Sequence, residues 1–274
     1  MDENALVVDG LCAKQGKFEL HDISFTLPKG YIMGLVGRMG SGKTTLLKNI
    51  LNPALIKSGS VKYDAQAGFI MEDAPFFIEA TLKENMEVFK NLYKNYDERE
   101  FYDRLRSVGL EEHKVYGLLS KGEKVRFQFA FAMGHHPGLL LLDEPTSGLD
   151  PLVRGQLLKI LTEYMENGGK GVFFSTHITS DLDKIADMLI MIDNGRIVFR
   201  EEKDTLLDTY RIVKGDRGAL TTDTRKLFLS ISETDFGFTG ITKQISEVRS
   251  YIPNIIVERP TIEDIMLGNI GGEK

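Results

Sequence analysis

Gly37-Arg38-Met39-Gly40-Ser41-Gly42-Lys43-Thr44 decides the reading of this chain. The stretch fits the pattern G-x-x-x-x-G-K-[ST], and its flanks supply the context that the pattern requires. Tyr31 to Val36 reads as a short strand running into the glycines, and Gly42 to Leu51 has helical character. Glycine lets the backbone curl until successive N–H groups point at one anion, and the helix start adds the positive end of its dipole. Gly37 through Thr45 therefore form a candidate phosphate cradle. Lys43 reaches the β- and γ-phosphates of a nucleoside triphosphate, and the Thr44 hydroxyl takes magnesium. A glycine-rich turn without a ligand is the alternative.

A second element belongs with the first. Leu139 to Leu142 is a continuous apolar run, as expected of a strand buried on both faces, and it ends in Asp143 and Glu144. Two carboxylates then stand at the carboxyl edge of a sheet, where open α/β folds bind ligands. One can hold the magnesium shell while its neighbour orients or activates the attacking water. An acidic pair after an apolar run is commonplace alone, but it gains meaning beside a P-loop.

The remaining pattern is a β/α alternation. Ala5 to Val8, Phe18 to Leu27 and Gly68 to Met71 read as strands; Thr81 with Glu84, and Ser120 with Glu123, have capping-box spacing. A helix from Pro151 to Glu166, a strand from Gly171 to Ser175 and a helix through Asp181 to Ala186 follow. Asn194-Gly195, between two apolar runs, signals a hairpin. After about Arg211 the periodicity weakens. We expect a P-loop α/β core over residues 1–211, with an antiparallel β subdomain at its N-terminus and a helical subdomain inserted at about 73–136. Residues 212–274 form a small appendage of unassigned fold.

Composition excludes several classes. Of 274 residues, 42% are hydrophobic and 27% charged, which suits a globular domain and not a disordered or fibrous one. The net charge of −6 argues against a nucleic-acid partner. Cys12 is the single cysteine, so the chain forms no internal disulfide. The N-terminus is acidic where a secretory signal is basic, and no apolar run approaches the roughly 20 residues of a membrane helix. These features point to a cytoplasmic protein that meets a membrane only through a partner.

On these motifs the chain resembles the ATP-binding subunit of ATP-binding-cassette (ABC) transporters over about residues 1–210. Leu119-Ser120-Lys121-Gly122-Glu123 is similar to the family signature LSGGQ, with Lys121 in place of a glycine and Glu123 in place of the glutamine. The resemblance implies that Ser120, Gly122 and Glu123 contact a nucleotide held by the opposite subunit of a homodimer or heterodimer. Ser147-Gly148-Leu149-Asp150 matches the D-loop that couples the two sites, and His177 matches the switch histidine at the γ-phosphate. Lys43, Glu144 and His177 become the catalytic set, with ATP and magnesium as cofactors. Thr44, Asp143 and Glu72 become the metal set; the family has glutamine where Glu72 stands. The aromatic residue that stacks on adenine aligns with Gln15, so Phe18 is the candidate, with a buried strand position as its alternative.

The resemblance further implies an integral membrane permease on another chain, docked against Glu72 to Glu87, where Ala74-Pro75-Phe76-Phe77-Ile78 forms an apolar cluster. Pro145 to Arg154, Glu72-Asp73 and the tail at Pro260 to Asp264 look like exporter-type, drug- or peptide-resistance cassettes. A soluble cassette ATPase uncoupled from transport is the alternative. A P-loop nucleotide kinase explains neither the signature nor His177.

Overall fold

The computed structural model describes residues 3–63 and 66–270. β1 (Asn4–Gln15) and β2 (Phe18–Pro28) form a hairpin, and β3 (Tyr31–Val36) follows. The P-loop leads into α1 (Lys43–Leu51), then β4 (Ile56–Tyr63) and β5 (Ala67–Ile70). Next come α2 (Leu82–Phe89), α3 (Glu98–Ser107) and α4 (Lys121–Met133). The alternation resumes with β6 (Leu139–Asp143), α5 (Pro151–Glu166), β7 (Gly171–Ser175), α6 (Thr179–Ile185), β8 (Met188–Asp193) and β9 (Arg196–Glu202). Beyond lie α7 (Lys203–Thr209), β10 (Arg211–Gly215), α8 (Thr222–Arg225), β11 (Ser230–Thr234) and β12 (Gly237–Thr242). α9 (Ile245–Tyr251), β13 (Ile256–Glu258) and α10 (Ile262–Ile270) complete the described chain.

Six strands form the central sheet in the order β5-β6-β7-β3-β8-β9, parallel except for β9. β9 returns through Asn194 and Gly195, whose φ of 46° and 70° make the tight turn. The apolar run of β6 is explained by its two faces. Leu139 and Leu141 pack with Met33, Leu35, Phe173 and α1, whereas Leu140 and Leu142 pack with Val36, Phe174, α4 and α5. Neither face meets water.

The antiparallel sheet β2-β1-β4 covers the α1 side. β1 runs to Gln15 and not only to Val8; register shifts between Val8 and Ala13 interrupt the alternation that a strand shows in sequence. β4 lies outside the sequence expectation. Its residues IKSGSVKY are mostly polar and none is buried, so β4 is held at the sheet edge by backbone pairing.

Both expected capping boxes form, with Thr81 and Glu84 opening α2 and Ser120 and Glu123 opening α4. The helical part has its own aromatic core. Phe76 sits at its centre, 7% exposed, with the rings of Phe89, Tyr116, Phe127 and Phe131 at 4.9 to 5.4 Å. The surface cluster expected at 74–78 is corrected at Phe76, which faces inward because four aromatic partners desolvate it, while Phe77 and Ile78 are 54% and 65% exposed.

The appendage is a four-stranded antiparallel sheet, β11-β12-β10-β13, packed on α9 through Val213, Phe238, Val248 and Ile252. α10 then turns back. Ile262 and Ile265 enter the same core as Leu182, Leu206 and Tyr210, so packing crosses the 211/212 line.

His135 closes the helical part by stacking on Tyr93 at 4.1 Å, and burial pushes its pKa down to about 4. An unfolded chain takes up this proton near pH 6.5, well before the folded one. The resulting stability is present above about pH 6.5 and is lost as pH falls toward about 4. Urea unfolding at pH 7.5 and pH 5 should show a loss of roughly 1–2 kcal/mol from this group, absent in His135→Phe; an equal loss in that variant assigns the effect elsewhere.

Candidate functional site

The parallel sheet brings the carboxyl ends of β6, β7 and β3 side by side, and the candidate residues gather there. Gly42 starts α1 at φ 113°, and a Cβ would lie 2.7 Å from the Phe18 ring, so only glycine fits. Lys43 is 7% exposed; its Nζ donates to the carbonyls of Gly37 (2.9 Å) and Arg38 (3.2 Å). The buried hydroxyl of Ser41 has no hydrogen-bond partner among the described residues, an arrangement that suits a phosphate oxygen. Thr44 is exposed, and Thr45 donates to Gln15 at 3.1 Å. Arg38 and Met39 send their side chains elsewhere. Arg38 forks onto Asp193, at 3.2 and 3.3 Å, and Met39 is 98% exposed, so both offer the loop their backbone only.

Ser175, which sequence reasoning passed over, organises the carboxylates. Its hydroxyl donates to Asp143 Oδ1 at 2.6 Å and accepts the Glu144 N–H at 3.0 Å. The Ser175 carbonyl accepts that N–H as well, at 3.1 Å. These contacts hold Glu144 at φ 48°, a sparsely populated backbone for a non-glycine residue that recurs at functional sites. From there its carboxylate reaches two partners: Oε2 lies 2.6 Å from His177 Nδ1, and Oε1 lies 3.5 Å from Lys43 Nζ. Glu144 thus links the other two candidate catalytic residues, Lys43 and His177.

The other candidates sit around this centre. Phe18 packs against Gly42 at the rim of the hollow that Lys43, Thr44, Glu72, Glu144 and His177 line. It is also partly buried against the core, so both of its sequence readings have a physical basis. Glu72 is exposed and forms an ion pair with Lys121 at 3.3 Å. Asp150 caps α5 by accepting the N–H groups of Leu152 and Val153. Ser120 caps α4, and Glu123 accepts the Ser120 N–H at 2.9 Å. That bond, followed by those from Lys114 and the Ser120 hydroxyl, pulls the Glu123 pKa down to about 2. Gly122 faces Val153 of α5, where a Cβ would meet Cγ1 at 2.9 Å.

Two more residues behind the site were missed because they are ordinary helix residues in sequence. Gln128 is buried on α4, and its amide pairs with both backbone groups of Met71, at 2.8 and 3.0 Å. Asp181, 0% exposed and four residues past His177, faces Arg154 of α5 at 3.2 Å.

Oxygen donors dominate the metal set, as a hard cation requires. Among the described residues no three His, Cys, Asp or Glu side chains gather into a metal site, and magnesium characteristically takes one or two carboxylates together with substrate phosphates. Thr44, Asp143 and Glu72 fit that description.

Comparison with known proteins identifies the family. The family model described as ABC transporter matches residues 20–147, and one described as AAA domain, putative AbiEii toxin, Type IV TA system, matches residues 113–182. The bacitracin transport ATP-binding protein BcrA of Enterococcus faecalis is 31% identical over 248 residues, covering 85% of this chain and 79% of the relative. The Nod factor export ATP-binding protein I of Rhizobium leguminosarum is 29% identical over 289 residues, covering 94% and 92%. Among solved structures, a dimeric ATP-binding cassette in a post-hydrolysis state with ADP and Pi shares the fold, with TM-score 0.62, 22% identity, and 72% and 98% of the two chains covered.

Removing Arg154 leaves the Asp181 carboxylate buried without its cation. Arg154→Ala should lower unfolding free energy by about 3 kcal/mol, whereas Arg154→Met with Asp181→Leu, which removes both charges, should recover most of it. Denaturant titration reads both; a loss below about 1 kcal/mol, the range of an exposed pair, would show the carboxylate to be solvated.

Proposed function

The chain belongs to the ABC transporter family as its ATP-binding, ATP-hydrolysing subunit, and from that premise we propose that two such subunits close around ATP and magnesium to drive an export permease carried on another chain. The observation that carries the reading is the contact of Glu144 with both His177 and Lys43. Lys43, released from the loop carbonyls, is the cation for the β- and γ-phosphates, which are also cradled by the backbone from Gly37 to Thr45. Glu144 accepts the proton of the attacking water. His177 orients that carboxylate and stands toward the γ-phosphate.

Magnesium, when bound, neutralises charge on the phosphate oxygens. Thr44 and Asp143 are the residues to hold it, with Glu72 as a third. Asp143 keeps its orientation through the Ser175 hydroxyl. Ser120, Gly122 and Glu123 complete the site of the opposite subunit, and Asp150 carries the state of one site to the other. The capping of α4 and α5 presents these residues on two helix starts packed together through Gly122 and Val153.

Force has to leave through a protein surface, because no helix among the described residues is long and apolar enough to cross a membrane. Phe77 and Ile78 suit that role. The buried amide of Asn85 accepts the Phe77 N–H at 2.7 Å and donates to the carbonyls of Phe77 and Thr81, so the loop is stiff while its two apolar side chains face outward. Val88 and Leu92, 52% and 75% exposed, are further exposed apolar side chains of the same helical part. The working location is the cytoplasmic face of the membrane. Relatives named for bacitracin transport and Nod factor export support export as the direction.

Two tests follow. Lys43→Ala should lose ATP affinity, while Glu144→Gln should bind ATP normally and hydrolyse it about 10²- to 10⁴-fold more slowly; near wild-type turnover in Glu144→Gln would remove Glu144 from the catalytic set. Phe77→Ala should weaken co-purification with the permease while ATP binding by the isolated chain is unchanged. Full retention of the membrane partner by that variant and by Ile78→Ala would move the docking surface elsewhere.

A further inference from the structure

Lys121 and Glu72 stand at two of the positions where this chain departs from the family's pattern, and they are each other's partners. Lys121 Nζ lies 3.3 Å from Glu72 Oε1, in a pair that bridges the first residue of α4 and the loop after β5. The approach is built in. Gln128 clamps the Met71 backbone to α4, and Lys121, Val125 and Gln128 share one helix face at i, i+4 and i+7. Glu72, the next residue after Met71, is thereby delivered to Lys121.

Glu72 also borders two hollows. One is the chain's own nucleotide site, with Lys43, Thr44, Glu144 and His177; the other lies under α4, with Lys121, Lys124 and Asp143. Its carboxylate can therefore turn either way. The pair is exposed, 37% for Lys121 and 77% for Glu72, and such pairs are worth about 1 kcal/mol or less. An interaction that weak is exchangeable. Neighbouring cations are otherwise engaged: Lys114 is bound to Glu123 at 3.0 Å, and Lys124 lies over the Tyr116 ring at 5.4 Å. Of these three lysines, only Lys121 is held by a residue that borders the chain's own nucleotide hollow.

We propose that Lys121 is a phosphate-contacting residue of the dimer's composite site, held in reserve by Glu72 and released when Glu72 turns toward its own nucleotide site. This inference rests on the dimeric reading above. Lys121 lies between Ser120 and Gly122, in the stretch that meets the partner's nucleotide, and it adds a mobile ammonium where the family has no side chain. Occupation of one site then frees a cation for the other, a coupling between two sites through one shared ion pair. No charge is left unbalanced: the ammonium exchanges a carboxylate for phosphate, and the freed Glu72 would be one of the residues to hold magnesium.

The test is ATP-driven dimerisation of the full chain carrying Glu144→Gln, followed by light scattering with ATP and EDTA, where Glu72 has no metal to bind and its hold on Lys121 is read by competition with phosphate alone. Adding Lys121→Ala should raise the ATP concentration for half-maximal dimerisation about tenfold, as for a lost charge-assisted bond. Adding Glu72→Gln should lower it by about twofold to fivefold, the scale of a removed exposed pair. Lys121→Arg should stay near the parent, which separates charge from folding, and the combined Lys121→Ala and Glu72→Gln variant should behave like Lys121→Ala. If Lys121→Ala and Glu72→Gln shift dimerisation in the same direction, the pair is only a structural tie and the exchange is wrong. A dimerising parent indifferent to Lys121→Ala overturns the exchange alone. A parent that never dimerises with ATP overturns the dimeric reading and this proposal with it.

Discussion

The side chain of Ser175 is the point on which the site depends. It ends β7, between the P-loop strand and the carboxylate strand, and in register it faces Leu35 on one side and Asp143 on the other. Parallel pairing sets the heights of three strand ends, and one buried hydroxyl then ties the Asp143 carboxylate and the Glu144 backbone N–H to that level. The left-handed backbone of Glu144 costs on the order of 1 kcal/mol or more. Two acceptors on Ser175 and the ion-pair environment of the carboxylate offset it. The side chain proposed above as the base is thus held off the sheet by hydrogen bonds that rotation of a flexible loop would lose.

Legibility followed local chemistry. The P-loop, the acidic pair, both capping boxes and the Asn194-Gly195 turn announce themselves because each satisfies a backbone requirement within a few residues. β4 does not, because in a polar edge strand whose only core contacts are the partly buried Ile56, Val61 and Tyr63 the burial pattern is faint. The full length of β1 was hidden by its register shifts, which break alternation where Gly10 lies. Phe76 and Phe77 are neighbours of one type with opposite exposures, a difference set by Tyr116, Phe127 and Phe131, more than thirty residues away. Ser175, Gln128 and Asp181 were equally invisible, since their importance comes from what lies across the fold.

Between the helical part and the core, the contacts divide into firm and exchangeable ones. Gln128 matches both backbone groups of Met71 in a buried setting, where an unmade hydrogen bond is expensive, and so fixes one end of the link. The Lys121–Glu72 pair, one residue on, is wet and cheap to break. A fixed pivot beside a weak contact is what allows a loop to change partners without detaching the helix that carries it.

The return of α10 has a consequence for the modularity of the chain. Ile262 and Ile265 share a core with Leu182 of α6, Asn269 donates to the Tyr210 hydroxyl at 3.2 Å, and Lys243 lies 4.6 Å over the Tyr210 ring. The C-terminal sheet is therefore no bead on a string that evolution can graft or discard freely. Its last helix covers α6, the helix that follows His177, so drift in the appendage is filtered by the folding cooperativity of the ATP-binding core.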